Sequence, residues 1–137
     1  MRRTLVWAVI VAAFGLSALA NEKPPAPFQA AMRENGATMQ KLAKDVEAKD
    51  YDAVAASAAI FKCNFAGPVG KYWTDAKNDD GLKKCTDAYN AADGLEKAAK
   101  SRNDMAVADA RKSLQSSCGS CHMAHREQLP DKTFEIK

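Results

Sequence analysis

The chain has 137 residues, 47% of them hydrophobic and 27% charged, with 20 Lys and Arg against 17 Asp and Glu, two His and four Cys. That is the size of one domain with a core of its own, which excludes a disordered chain, a collagen and a polycation that coats nucleic acid. Four cysteines in so short a chain are what composition leaves to explain.

Residues 1–20 have the form of an export signal. Arg2 and Arg3 are followed by an apolar run from Leu5 to Leu16, and Ala18-Leu19-Ala20 supplies a small-x-small cleavage pattern. Cleavage is expected after Ala20, leaving 21–137 as the mature domain, because the apolar run is shorter than the ~20 residues of a membrane span; an uncleaved anchor, which Trp7 and Phe14 would suit, is the alternative. The leader takes two of the twenty basic residues and no acidic one, so the remaining chain carries 18 positive against 17 negative side chains and its net charge falls from +3 to +1. Interspersed, nearly balanced charge points to neither nucleic acid nor stable membrane insertion. Export places the domain in a bacterial periplasm, where disulfides persist and haem is attached to cysteine.

Pro24-Pro25-Ala26-Pro27 is an extended lead-in, and a helix can begin at Pro27 because the first turn leaves its missing N–H unneeded. Phe28, Met32, Met39, Leu42 and Val46 then form an apolar stripe to about Ala48, with a gap at Asn35-Gly36. Asp50 is expected to cap a second helix with Tyr51, Val54, Ala58 and Phe61 on its buried face. Residues 62–80 are expected to be irregular, broken by Gly67-Pro68 and Gly70 and pinned to the core by Trp73.

A third helix is predicted over Asp80 to Lys100, with Leu82, Cys85, Tyr89, Ala92, Glu96 and Ala99 in register. Ser101 to Asp104 supplies a turn and a cap. A fourth helix carries Val107, Ala110, Leu114, Cys118, Cys121 and His122 towards a stop at Pro130. Four helices without a convincing strand predict an all-α, antiparallel four-helix bundle.

The chemistry lies in Cys118-Gly119-Ser120-Cys121-His122. On a helix, positions i, i+3 and i+4 share a face, so two thiols and an imidazole point to one side. This suits a c-type haem, whose vinyl groups take up two thiols and whose iron is bound by the adjoining His. A redox CxxC belongs at a helix start after a strand, and none is predicted here. Zinc needs a second ligand pair, which Cys63 and Cys85 do not provide at knuckle spacing. A non-haem helical scaffold with structural thiols is the remaining alternative.

The segment from Leu114 to Arg126, with its CxxCH near the C-terminus of a four-helix chain, resembles the final helix of the class II cytochromes, the cytochrome c′ family. Ala31-Met32-Arg33-Glu34-Asn35-Gly36-Ala37-Thr38-Met39 is similar to the first helix of that family's low-spin branch. The resemblance implies one covalent haem c per chain, with His122 as the proximal iron ligand, Met32 as the distal ligand and Arg126 near the proximal His or a propionate. Spacing alone leaves Met32 and Met39 as packing residues of equal claim. His125 departs from the family, which usually has Tyr or Phe there.

With His/Met ligation the expected function is that of a non-enzymatic single-electron carrier, docking transiently and electrostatically on periplasmic redox proteins. With Met32 as a pocket wall the iron is five-coordinate, as in the high-spin branch that binds nitric oxide and carbon monoxide. Cys63 and Cys85 lie outside the haem motif. In an oxidising compartment they are expected to bridge helices two and three, with two unpaired thiols or a redox pair as alternatives. Monomer and homodimer both remain open.

Overall fold

The computed structural model describes residues 23–137, so the leader and its cleavage site lie outside the described residues. Five α-helices follow in chain order: α1 (Ala26–Glu47), α2 (Tyr51–Asn64), α3 (Gly70–Asp75), α4 (Asp79–Lys100) and α5 (Asp104–His125). Two short strands, β1 (Arg126–Gln128) and β2 (Phe134–Ile136), close the chain as an antiparallel hairpin.

The stretch expected to be irregular is helical instead. Phe65–Val69 forms a wide helical turn that joins α2 directly to α3, so residues 51–75 act as one long bent helix. Pro68 lacks an N–H and crowds the preceding turn, and Gly67 absorbs the strain with non-helical angles (φ −93°, ψ −113°). Gly70 is required immediately afterwards, because a Cβ there would lie 2.6 Å from the Phe65 carbonyl oxygen. With this bent helix as its second member, the molecule is an all-α four-helix bundle.

The helix ends follow from local chemistry. The turns before α2, α4 and α5 place Lys49, Lys77 and Arg102 in the left-handed region (φ 55°, 51° and 50°). Each is followed by a capping side chain, with Asp50 accepting from Ala53 N, Asn78 from Gly81 N and Asn103 from Ala106 N.

The core runs along the axis through Phe28, Leu42, Val54, Phe61, Trp73, Leu95, Val107 and Leu114. On α1 the buried line is Phe28, Ala31, Asn35, Thr38 and Leu42, with Met32 and Met39 half-buried on its flank. The gap in the apolar stripe is therefore a polar contact: Asn64 of α2 donates from Nδ2 to Asn35 Oδ1 (2.9 Å) and to Glu34 Oε2 (2.8 Å). On α4 the small residues Gly81, Ala88, Ala92, Ala98 and Ala99 turn inwards, while Leu82, Tyr89 and Glu96 are half-buried. Among the described residues no helix is long and apolar enough to cross a membrane.

Candidate functional site

α5 carries the Cys118 to His122 motif and packs chiefly along α4, while α1 and α5 approach each other little. Its two ends are fastened. At the start, Asp104 accepts from Lys49 Nζ (2.5 Å) and from the Tyr51 hydroxyl. At the finish, His125 is buried, its ring 4.8 Å from that of Trp73 and its Nε2 2.7 Å from Asp80 Oδ2. Asp80 is held below the usual carboxylate range by its hydrogen bond to Lys84 and then by that to His125. His125 is thus not an exposed imidazole. It is a structural tie between α5 and the start of α4.

Between these fastenings, Ser117, Cys118, Gly119, Ser120 and Cys121 are all half-buried, and both thiols pack against the core. Burial pushes the Cys118 thiol up to about 11, with Cys121 adding to the effect, and burial also raises Cys121. A redox-active or nucleophilic CxxC needs a depressed thiol pKa, so these thiols are suited to being attached rather than to turning over. Among the described residues no cluster of three or more His, Cys, Asp and Glu is placed to hold a metal ion, which leaves the zinc reading without donors.

His122 is exposed on the next position of the helix. Partial desolvation lowers its pKa, and the Arg126 cation lowers it further. Arg126 Nη1 lies 3.4 Å from His122 Nδ1, leaving Nε2 on the other side of the ring as the atom that would meet a metal. Arg126 was expected one turn along the helix. It is instead the first residue of β1, with extended angles (φ −114°, ψ 129°), and its backbone N–H donates to the His122 carbonyl. The helix ends at His125, short of Pro130.

The expected Cys63–Cys85 bridge is not formed. All four cysteines are free thiols, with Cys63 on the exposed side of α2 and Cys85 buried on α4, its Sγ donating to the Phe65 carbonyl (3.3 Å). The bend after Asn64 carries the backbone of Phe65, not the side chain of Cys63, to Cys85. Burial, with a smaller effect from Cys121, holds the Cys85 thiol at about 11.

Met32 sits half-buried on α1, one turn before the Asn35–Asn64 contact. The structure brings together Cys118, Cys121, His122 and Arg126, and leaves Met32 on a separate helix at the core's flank. A groove of about 480 Å³ opens between α3 and α4, lined among others by Phe65, Leu82, Cys85 and Tyr89. None of Cys118, Cys121, His122, Arg126 and Met32 lines it, so the donor set, rather than this hollow, marks the site.

Sequence reasoning missed Asp80 and Phe134. Asp80 reads as one more first-turn acid. Phe134 stands in a short polar tail with no periodicity to single it out.

No protein-family model matches the chain, and no curated protein matches it. Among solved structures the chain is similar to cytochrome c′ from Thermochromatium tepidum, with a TM-score of 0.60 at 19% identity over 84% of this chain and 100% of that one. The likeness shows the fold: this chain is a four-helix bundle of the kind found in a cytochrome c′.

Proposed function

We propose that the chain is an exported, periplasmic c-type cytochrome with one haem, attached through thioethers to Cys118 and Cys121, that carries single electrons and is not an enzyme. What supports this is the placing of the motif. In a bundle with the fold of a cytochrome c′, two unactivated, half-buried thiols and the adjoining imidazole lie within one turn of the last helix, which is held at both ends. The donor set fits haem c. In addition, Trp73 Nε1 is buried beside His125 without a hydrogen-bond partner, a donor suited to an acceptor-bearing group at this end of the bundle.

Bound haem would supply one-electron chemistry at its iron. His122 would hold the iron through Nε2 while Arg126 keeps a positive charge beside the other ring nitrogen. Met32 would offer its thioether from α1, and a soft sulfur opposite imidazole favours a six-coordinate, low-spin iron with a raised potential. The Phe28, Trp73 and Leu114 core keeps water from the interior, and the proposed redox partners would dock transiently and electrostatically.

Absorption spectroscopy of protein matured in a periplasm tests the reading. Haem should remain with the denatured chain. The ferric protein should show the weak far-red band of Met ligation, and the ferrous protein should bind carbon monoxide poorly. Met32→Ala should convert this behaviour to a high-spin spectrum with ready carbon monoxide binding, whereas Met39→Ala should not. A high-spin wild type that binds carbon monoxide readily would replace the carrier by the gas-binding alternative, and a denatured chain free of haem would remove both.

A further inference from the structure

We propose that the C-terminal hairpin is a clamp that holds the Arg126 guanidinium against His122, with Phe134 as its positioning residue; this rests on the haem reading above. The register pairs Arg126 with Ile136 and Gln128 with Phe134. Arg126 and Phe134 are therefore diagonal neighbours on one face of a two-stranded ribbon, within reach of each other's side chains. The guanidinium lies 3.2 Å from the Phe134 ring centroid, and its Nη1 lies 3.4 Å from His122 Nδ1.

The ribbon is itself anchored. Lys137 N donates to the His125 carbonyl (3.1 Å), Ile136 packs against the core, and Thr133 closes the turn through its N and Oγ1 on Asp131 Oδ1 (2.9 and 2.6 Å).

A terminal-helix Arg left to itself would spread over many rotamers in solvent and its charge would be screened. Held over the Phe134 ring, it stays at the imidazole that would bind the iron. A fixed cation there favours the reduced iron, which carries one positive charge fewer. Phe134 therefore raises the haem's potential through Arg126, by keeping that cation beside His122.

Four variants test this in the holoprotein: Phe134→Ala, Phe134→Leu, Phe134→Tyr and Arg126→Gln. Phe134→Leu keeps an apolar side chain for the hairpin and removes only the ring. In the ferrous protein, the Arg126 side-chain proton resonances should be shifted by the Phe134 ring, keep that shift in Phe134→Tyr and lose it in Phe134→Leu. At a fixed ambient potential, Phe134→Ala and Phe134→Leu should lower the ratio of reduced to oxidised haem about threefold or more, the size expected for moving one charge from a fixed site near the iron into solvent. Arg126→Gln should lower it at least as far, and adding Phe134→Leu to Arg126→Gln should change nothing more.

The inference is overturned if Phe134→Leu keeps the wild-type ratio, or if the two substitutions add. Failure of the haem reading is seen separately, as a denatured chain without haem, and takes the inference with it.

Discussion

α4 and α5 are both 22 residues long and lie side by side, yet they are stabilised in opposite ways. α4 buries seven residues and carries four i,i+4 ion pairs, Lys84–Asp80, Lys83–Asp87, Lys97–Asp93 and Lys100–Glu96. α5 buries only Val107, Leu114 and His125 and, among the described residues, has no ion pair within itself. α4 is framework along its whole length. α5 is held by what happens at its ends, Asp104 against the first turn of α2 and His125 against Trp73 and Asp80. The contrast shows that a helix can be kept in place with few fully buried side chains when both of its ends are tied.

The largest expected effect is on α5. Replacing Cys118 and Cys121 together by Ser should abolish covalent haem entirely, so that the acid-denatured, solvent-extracted chain shows no haem absorbance. The α4 partner of this experiment is Cys85→Ser, which should leave haem attachment intact. If Cys85→Ser also removes the haem, the division into framework and platform is wrong.

Two glycines on α4 sharpen the framework side, with opposite signs. A Cβ at Gly81 would come within 2.4 Å of Trp73 Cε3, and Trp73 is nearly fully buried with Gly81 pressed on its ring. Gly81→Ala should therefore destabilise by about 1 to 3 kcal/mol through overpacking. Gly94 is exposed with nothing within 4 Å of an added Cβ, so Gly94→Ala should stabilise by about 0.5 to 1 kcal/mol through helix propensity. Chemical denaturation of the two variants checks both. A neutral Gly81→Ala would mean that Trp73 does not seat on α4, and the tie through His125 would lose its floor.

Cysteine accessibility gives a smaller effect on the same helices. Cys63 should react with an alkylating reagent in the folded protein, while Cys85 should react only on unfolding, since it is 5% exposed and its thiol is held at about 11. A folded protein in which neither reacts, and which releases two thiols on reduction, would restore the bridge expected from the sequence.

What could be foreseen was local in the chain. Asp50 and Asn103 announce helix starts because an N-cap acts across three residues. The CxxCH motif was legible as one helical turn because its three side chains are spaced i, i+3 and i+4. The bend at Gly67-Pro68 was misjudged for the same reason: the pair looks like a break locally, and only the core packing of Phe65, Val69 and Trp73 on either side keeps the helix going. The apolar stripe of α1 led to Met32 and Met39, because hydropathy cannot foresee that Asn35 would be buried against Asn64. Nor could it foresee the hairpin, whose two strands of three residues are too short to show alternation and are organised by Arg126 and Phe134.

The smallest effect concerns the charges of α4. Asp93 receives Lys62 from α2 (2.6 Å) and Lys97 from its own helix (2.6 Å), and these hydrogen bonds hold its carboxyl down at about 2. Lys62 also reaches Glu96 (2.9 Å), so one lysine ties α2 to two turns of α4. A carboxyl depressed in the folded state stabilises the fold fully above its unfolded pKa of roughly 4, and the contribution is lost as pH falls towards about 2. Asp93→Asn should therefore weaken the protein slightly at neutral pH and flatten the fall in stability between roughly pH 4 and 2, measured as the denaturation midpoint at each pH. Salt should mask most of the difference, because the pair is partly open to solvent. An Asp93→Asn protein whose acid limb falls as steeply as the wild type's would show that this ion pair does not hold α4 to α2.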